Sequence, residues 1–297
     1  MSADFSTWAR HQRERVEAAL ADWVSADAPA SLGVAMRYAA LGGGKRLRAL
    51  LVLAAAEAVQ GNADAALRAA CAVELIHAYS LVHDDMPCMD DDVLRRGKPT
   101  VHVKFGQAQA LLAGDALQAL AFECLLPVGP QVPAAMQAAL ARLLARAAGA
   151  QGMAGGQAID LASVGKPLSE AELRHMHQLK TGALLQASVA MGVACAPQVL
   201  PAAAQAALHD FGAAVGLAFQ VVDDILDVTG DAQALGKTAG KDAQADKPTY
   251  VSLLGLAPAQ ALAERLRTQA HSALDASGLR EVGALHALAD QVVQRTH

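Results

Sequence analysis

Aromatic residues make up only 3% of the 297-residue chain, as five Phe, three Tyr and two Trp, and β-branched residues are also sparse. Strands draw on those residue types, so their scarcity argues against a sandwich or barrel and for helix. The four cysteines, Cys71, Cys88, Cys124 and Cys195, are scattered with no C-x-x-C pair. That pattern excludes a disulfide framework and a thiolate zinc site, and is expected of a reduced cytoplasmic protein. Basic excess is lacking as well: 24 Lys and Arg face 29 Asp and Glu, for a formal charge of -5. With no long basic tract, nothing favours nucleic acid as a partner. No uninterrupted apolar run approaches the length of about eighteen residues that a bilayer span needs, so no membrane span is expected. The N-terminus lacks the apolar core of a signal peptide. Also missing are a G-x-S-x-G elbow and an H-E-x-x-H zinc motif, while G42-G-G-K-R lacks the spacing of a P-loop.

What remains is an alanine-dominated chain that is 54% apolar. Its patterning predicts helices over about 4–24, 31–41, 47–59, 65–83, 107–125, 133–148, 169–194, 202–226, 258–276 and 278–294. Proline and glycine clusters near 127–131, 165–167, 197–201 and 229–240 supply the breaks. No linker stands out, so the chain reads as one all-helical domain over 1–297, built from about ten helices.

Two acidic clusters interrupt the apolar helices. In L81-V-H-D-D-M-P-C-M-D-D-D-V-L-R-R-G97, Pro87 ends the helix and leaves the aspartates at its C-terminal end and in the loop beyond. His77 precedes Asp84 by about two turns, so the two share a face. In F219-Q-V-V-D-D-I-L-D227, Gln220, Asp223, Asp224 and Asp227 fall at i, i+3, i+4 and i+7, again one face. Like charges beside apolar helix repel unless compensated, and a hard divalent cation compensates them. Carboxylate ligands without thiolate or a His-rich set favour Mg2+, which keeps waters and takes substrate phosphates in its remaining positions. Bases for a diphosphate stand nearby: Lys45, Arg46 and Arg48 after the glycines, Arg95 and Arg96, Lys180, and Lys237, Lys241 and Lys247. Gly43 and Gly44 would let two of these bases reach a phosphate. A metal-dependent phosphohydrolase would use the same groups, but so much apolar helix around both clusters suggests a cavity for an apolar tail, shielded from water.

G43-G-K-R-L-R48, H77-A-Y-S-L-V-H-D-D-M-P-C-M-D-D-D-V-L-R-R-G97, K180-T-G182, F219-Q-V-V-D-D-I-L-D227 and G236-K-T-A-G-K-D242 together resemble the motifs of the short-chain trans-isoprenyl diphosphate synthases. Within that family the chain is most similar to the bacterial farnesyl diphosphate synthases, over about residues 31–254. The resemblance implies an isoprenoid synthase-type all-α bundle around a deep central cavity, acting as a homodimer. It implies Mg2+-dependent head-to-tail condensation of dimethylallyl or geranyl diphosphate with isopentenyl diphosphate, with three Mg2+ ions bridging the allylic diphosphate. By the same resemblance Asp84, Asp90 and Asp223 hold metal, with Asp85, Asp224 and Asp227 in support. Arg95, Lys180 and Lys237 hold the allylic diphosphate, and Lys45, Arg48, His77 and Arg96 surround isopentenyl diphosphate. Thr181 and Gln220 lie near the reacting allylic carbon, and Lys247 contacts the leaving diphosphate.

The reaction so implied ionises the allylic diphosphate, adds the isopentenyl double bond to the carbocation and loses a proton to the released diphosphate, so no side chain is nominated as general base. Product length depends on what closes the cavity. Tyr79 and Ser80 lie five and four residues before Asp84, and a bulky Tyr79 with the Pro87-Cys88 insertion resembles the arrangement for a C15 product. Geranyl or geranylgeranyl synthesis is the alternative on the same scaffold. A terpene cyclase would not need the second set of bases, and a non-catalytic helical scaffold whose acidic and basic patches bind another protein is the reading from a different class. The chain departs from the usual pattern at Val93, where aspartate is frequent, and at Ala49, where proline is usual.

Overall fold

The computed structural model describes residues 3–166, 168–229 and 249–295. Among the described residues it contains fourteen α-helices and one two-stranded hairpin. In chain order these are α1 (Ala3–Trp23), α2 (Leu32–Ala40), α3 (Leu47–Ala58), α4 (Ala63–Asp84), β1 (Leu94–Arg95), β2 (Lys98–Pro99), α5 (Val101–Phe105), α6 (Gln107–Leu125), α7 (Ala134–Ala148), α8 (Met153–Ala162), α9 (Glu170–His177), α10 (Ala183–Ala194), α11 (Ala202–Thr229), α12 (Tyr250–Leu254), α13 (Leu256–Ala276) and α14 (Gly283–Val293). The count exceeds ten by four, because α5, α8 and α12 carry no long apolar period of their own and the segment expected as one helix over 169–194 forms both α9 and α10.

The alanine content decides how the bundle is built. Helices α3 and α4 bury side chains around most of their circumference, among them Ala54, Ala55, Ala69, Ala70 and Ala72. Such short side chains let α4 pack closely with α3, α6 and α10. Asn62 starts α4, its side chain accepting from Ala65 N at 2.9 Å. By length and composition alone α4 could cross a membrane, yet 67% of its apolar window is buried inside the bundle. A second core gathers around α11, where Phe211, Val221 and the fully buried Tyr250 pack with residues of α13 and α14.

Two local departures position functional side chains. The segment expected as one helix over 169–194 is α9 and α10 joined through a π-helical turn, Gln178–Gly182. Gly156 of α8 lies against this turn so closely that a Cβ there would overlap the Lys180 backbone. After α4, the chain makes the β1–β2 hairpin with Arg96 and Gly97 both at positive φ, 51° and 72°. Adjacent left-handed residues match the twist of a two-residue hairpin.

Candidate active site

A cavity of about 970 Å³ opens between the start of α3, the end of α4, α8, the π turn, α11 and the last turn of α14. Asp84 is the last residue of α4, three positions before Pro87. Asp90 N–H donates to the Asp84 carbonyl at 2.9 Å, which folds the loop back so that both carboxylates line the cavity. Asp223 of α11 lines it from the other core. Burial raises the Asp84 pKa to about 6; Lys180 opposes this, and Asp90 and Asp85 add to it. Burial, more than neighbouring charge, therefore disfavours the Asp84 anion.

The remaining aspartates have other surroundings. Asp85 is buried and receives Arg95 through Nε at 2.9 Å and Nη2 at 2.6 Å. Neither Asp85 nor Asp227 is among the cavity-lining residues. Asp224 is buried, accepting from Gln220 Nε2 at 2.9 Å and from Tyr250 N at 2.7 Å. Asp224 still lines the same cavity as Gln220 and Asp223, so three members of the expected face of α11 meet there and Asp227 falls outside the lining. Asp223 is exposed there, while the Asp224 carboxylate is engaged by Gln220 and by the N-terminus of α12.

Among the bases, Lys180 projects from the π turn and pairs with Asp160 of α8, Nζ to Oδ2 at 2.7 Å. Arg48 lines the cavity with its Nε buried and unpartnered. His77 lines it too, and burial followed by Arg48, Arg96, Arg95 and Arg46 holds its pKa well below the usual value, so its imidazole is neutral. Lys45 lines the same wall, where burial and then Arg295 lower its pKa and Asp223 opposes them. Arg96 donates through Nη1 to the Gly43 carbonyl. Gly44 sits at φ 136°, where a Cβ would lie 2.8 Å from Arg96 Nη1. The absence of a side chain at Gly44 therefore admits Arg96 against the loop. Arg46 is spent inside the fold, donating to Glu17 at 2.7 Å, Glu74 at 3.1 Å and the Ala40 carbonyl at 2.7 Å. Glu74 also accepts from Ala49 N at 3.1 Å, a bond that a proline at position 49 would lack. Val93 is exposed on the hairpin side of the loop. Lys237, Lys241 and Lys247 lie outside the described residues.

Thr181 Oγ1 donates to Gln220 Oε1 at 3.2 Å, so a chain of hydrogen bonds runs from Thr181 through Gln220 and Asp224 to the start of α12. Tyr79 and Ser80 line the cavity; Ser80 Oγ donates to the His77 carbonyl at 2.9 Å. Three neighbours escaped the reading of the sequence. Asp160 had a local signal, a lone carboxylate in A158-I-D-L-A162. Arg295 had none: it stands 72 positions from Asp223, yet reaches Asp223 Oδ1 at 3.4 Å and lies over the Phe219 ring at 3.9 Å. His177, buried with both ring nitrogens unpartnered, looked like any helix residue.

Residues 29–279 match the polyprenyl synthetase family. The chain belongs to that family. As a polyprenyl synthetase it is a prenyltransferase, closely related to the bacterial farnesyl diphosphate synthases, and its reaction is head-to-tail prenyl transfer between small isoprenoid diphosphates. A probable farnesyl diphosphate synthase of Bradyrhizobium diazoefficiens is 51% identical over 277 residues, 92% of this chain and 83% of the relative. A chloroplastic geranylgeranyl pyrophosphate synthase of Capsicum annuum is 43% identical over 294 residues, 98% of this chain and 79% of the relative. An FPP/GFPP synthase structure from Zymomonas mobilis superposes with a TM-score of 0.85 at 40% identity, covering 99% of this chain and 100% of that one. A Helicobacter pylori geranyltransferase, solved with magnesium and isoprenyl diphosphate, gives 0.83 at 33% identity, covering 99% and 97%.

Magnesium dependence is typical of this family. Among the described residues no three or more His, Cys, Asp or Glu side chains form a ready-made metal cage. Mg2+ does not require one, since it binds through one or two carboxylates, waters and substrate phosphates. The donors fit: hard carboxylate oxygens on two walls of the cavity, one of them, Asp84, destabilised as an anion by burial.

Proposed function

We propose that this polyprenyl synthetase is a Mg2+-dependent farnesyl diphosphate synthase. It condenses dimethylallyl or geranyl diphosphate with isopentenyl diphosphate to give (2E,6E)-farnesyl diphosphate and diphosphate. The observation that carries the reading is one cavity whose rim holds Asp84, Asp90 and Asp223 with Lys180, and whose wall holds Tyr79 about 7 Å deeper along α4 at 1.5 Å per residue.

In this reading Asp84 and Asp90 on one wall and Asp223 on the other hold the metal. Bound Mg2+ supplies charge neutralisation for the departing diphosphate. Asp85, Asp224 and Asp227 act at one remove; Asp85 orients Arg95 toward the allylic diphosphate and Asp224 orients Gln220. Lys180, held by Asp160, supplies a fixed charge-assisted donor to the same diphosphate. Lys237 and Lys247 complete this set. Lys45, Arg48, Arg96 and the neutral His77 receive isopentenyl diphosphate, and the unpartnered Arg48 Nε has a donor to offer.

The allylic C–O bond breaks with its electron pair leaving on diphosphate. The isopentenyl double bond then attacks the allylic cation, and the proton lost from the adduct goes to the released diphosphate. Thr181 and Gln220, hydrogen-bonded to each other, lie beside the electron-poor carbon and orient it. The buried walls exclude water, which would otherwise trap the cation. Tyr79 and Ser80 limit the tail to C15. We further propose that the enzyme is a homodimer.

The test is incorporation of labelled isopentenyl diphosphate into an acid-labile prenyl diphosphate. Turnover with Mg2+ that vanishes on chelation and returns on adding the metal back is expected; full turnover in excess chelator contradicts the reading.

A further inference from the structure

Below Asp84, α4 carries a pair of rings whose support comes from another helix. Tyr79 and His83 are four residues apart and share one face, their rings meeting edge-on with centroids 5.6 Å apart at 82°. His83 Nε2–H donates to the Leu111 carbonyl of α6 at 3.0 Å, with Asp115 Oδ1 4.0 Å away. The imidazole occupies a notch at Gly114, where a Cβ would overlap the ring.

Glycine inside a helix costs about 1 kcal/mol relative to alanine, so its place in the middle of α6 calls for a packing reason. The His83 ring provides it. A tyrosine on a helix has few χ1 wells, and a neighbour filling the space beside the ring removes one of them. His83 is that neighbour, and it is itself fixed by the notch and by the Leu111 carbonyl.

We propose that His83, seated against Gly114, is a positioning residue for product length: it holds the Tyr79 ring where the growing tail meets it. This rests on Tyr79 being the stop for the tail. His83 acts only through Tyr79 and needs no change of charge to do so. If α6 no longer receives the imidazole, the Tyr79 ring gains room to swing aside, and the cavity accepts a longer tail.

The experiment is product analysis by chain length for Gly114→Ala, His83→Ala, the double variant and Tyr79→Ala, each with dimethylallyl and isopentenyl diphosphates and Mg2+. Gly114→Ala expels the ring, and the C20:C15 ratio is expected to rise by roughly tenfold, the scale at which a pocket discriminates added methylenes. His83→Ala should produce a shift of the same sign, and adding Gly114→Ala to it should shift the ratio no further, because the new methyl then enters an empty notch. Thermal melts identify a variant that does not fold; if Gly114→Ala is lost in this way, His83→Ala decides alone. A product shift in Tyr79→Ala with unchanged C15 in the folded Gly114 and His83 variants overturns the role of His83 and leaves the tail stop standing. Unchanged C15 in Tyr79→Ala removes the tail stop itself, and the role of His83 with it.

Discussion

Lys180 Nζ and Asp160 Oδ2 lie 2.7 Å apart, joining the π turn to α8, with the Asp160 side chain only 8% exposed. A lysine has a flexible four-carbon stem, and this carboxylate fixes where its charge points. Close approach of the two elements is possible because residue 156 is glycine.

Asp160→Asn should therefore leave Lys180 charged but unanchored. We expect kcat/KM for the allylic diphosphate to fall about 10²-fold, the scale of a misplaced binding group, with KM for isopentenyl diphosphate nearly unchanged. Steady-state kinetics with each substrate varied checks this. A uniform fall for both substrates would assign Asp160 to folding rather than to Lys180.

Asp84→Asn removes one of the carboxylates crowded with Asp90 and Asp85, and with it a metal ligand. Turnover should drop by at least about 10³-fold, as expected when a group acting on transition-state charge is lost. The metal-free protein should melt about 2 °C higher, because a half-buried like charge is gone. Assaying turnover and melting the same sample separates the two effects. A lower melting temperature without metal contradicts the account of the rim.

His177 is buried, its ring stacked on Tyr250 at 5.7 Å. Burial lowers its pKa to about 4; Asp160 opposes this and Lys180 reinforces it. The folded value lies below the unfolded one of about 6.5, so the unfolded chain takes up the proton first as pH falls. Stability is then lost as pH falls between about 6.5 and 4, by up to about 3 kcal/mol. His177→Phe keeps an aromatic ring against Tyr250 and removes the titration. Thermal melts across pH 7.5 to 4.5 should show a shallower acid decline for the variant; equal slopes would contradict the prediction.

Most of the fold was legible because the long helices carry their own period. The expected helix over 107–125 matches α6 residue for residue, and those over 47–59 and 202–226 match α3 and α11 to within three residues. Helix α8 was not among the expected helices, since Gly152, Gly155 and Gly156 weaken its helical signal, whereas their smallness serves contact with neighbouring backbone. The π turn was missed because the hydrophobic pattern runs through it without interruption. In the site, Asp84, Gln220 and Asp223 stood out in the two acidic clusters, His77, Asp90 and Lys180 took their roles from the family resemblance, and all six line one cavity. The engagement of Asp85 by Arg95 and of Asp224 by Tyr250 N was not legible, since both depend on partners brought in by tertiary packing.

The central claim is that the cavity extends a C5 or C10 primer to C15. Wild-type protein supplied with dimethylallyl diphosphate, excess isopentenyl diphosphate and Mg2+ is run to completion, and the products are dephosphorylated and separated by chain length. The account predicts that farnesol dominates, with geranyl diphosphate appearing only as a transient. A product that runs on mainly to C20, or the absence of any elongated isoprenoid, would contradict it.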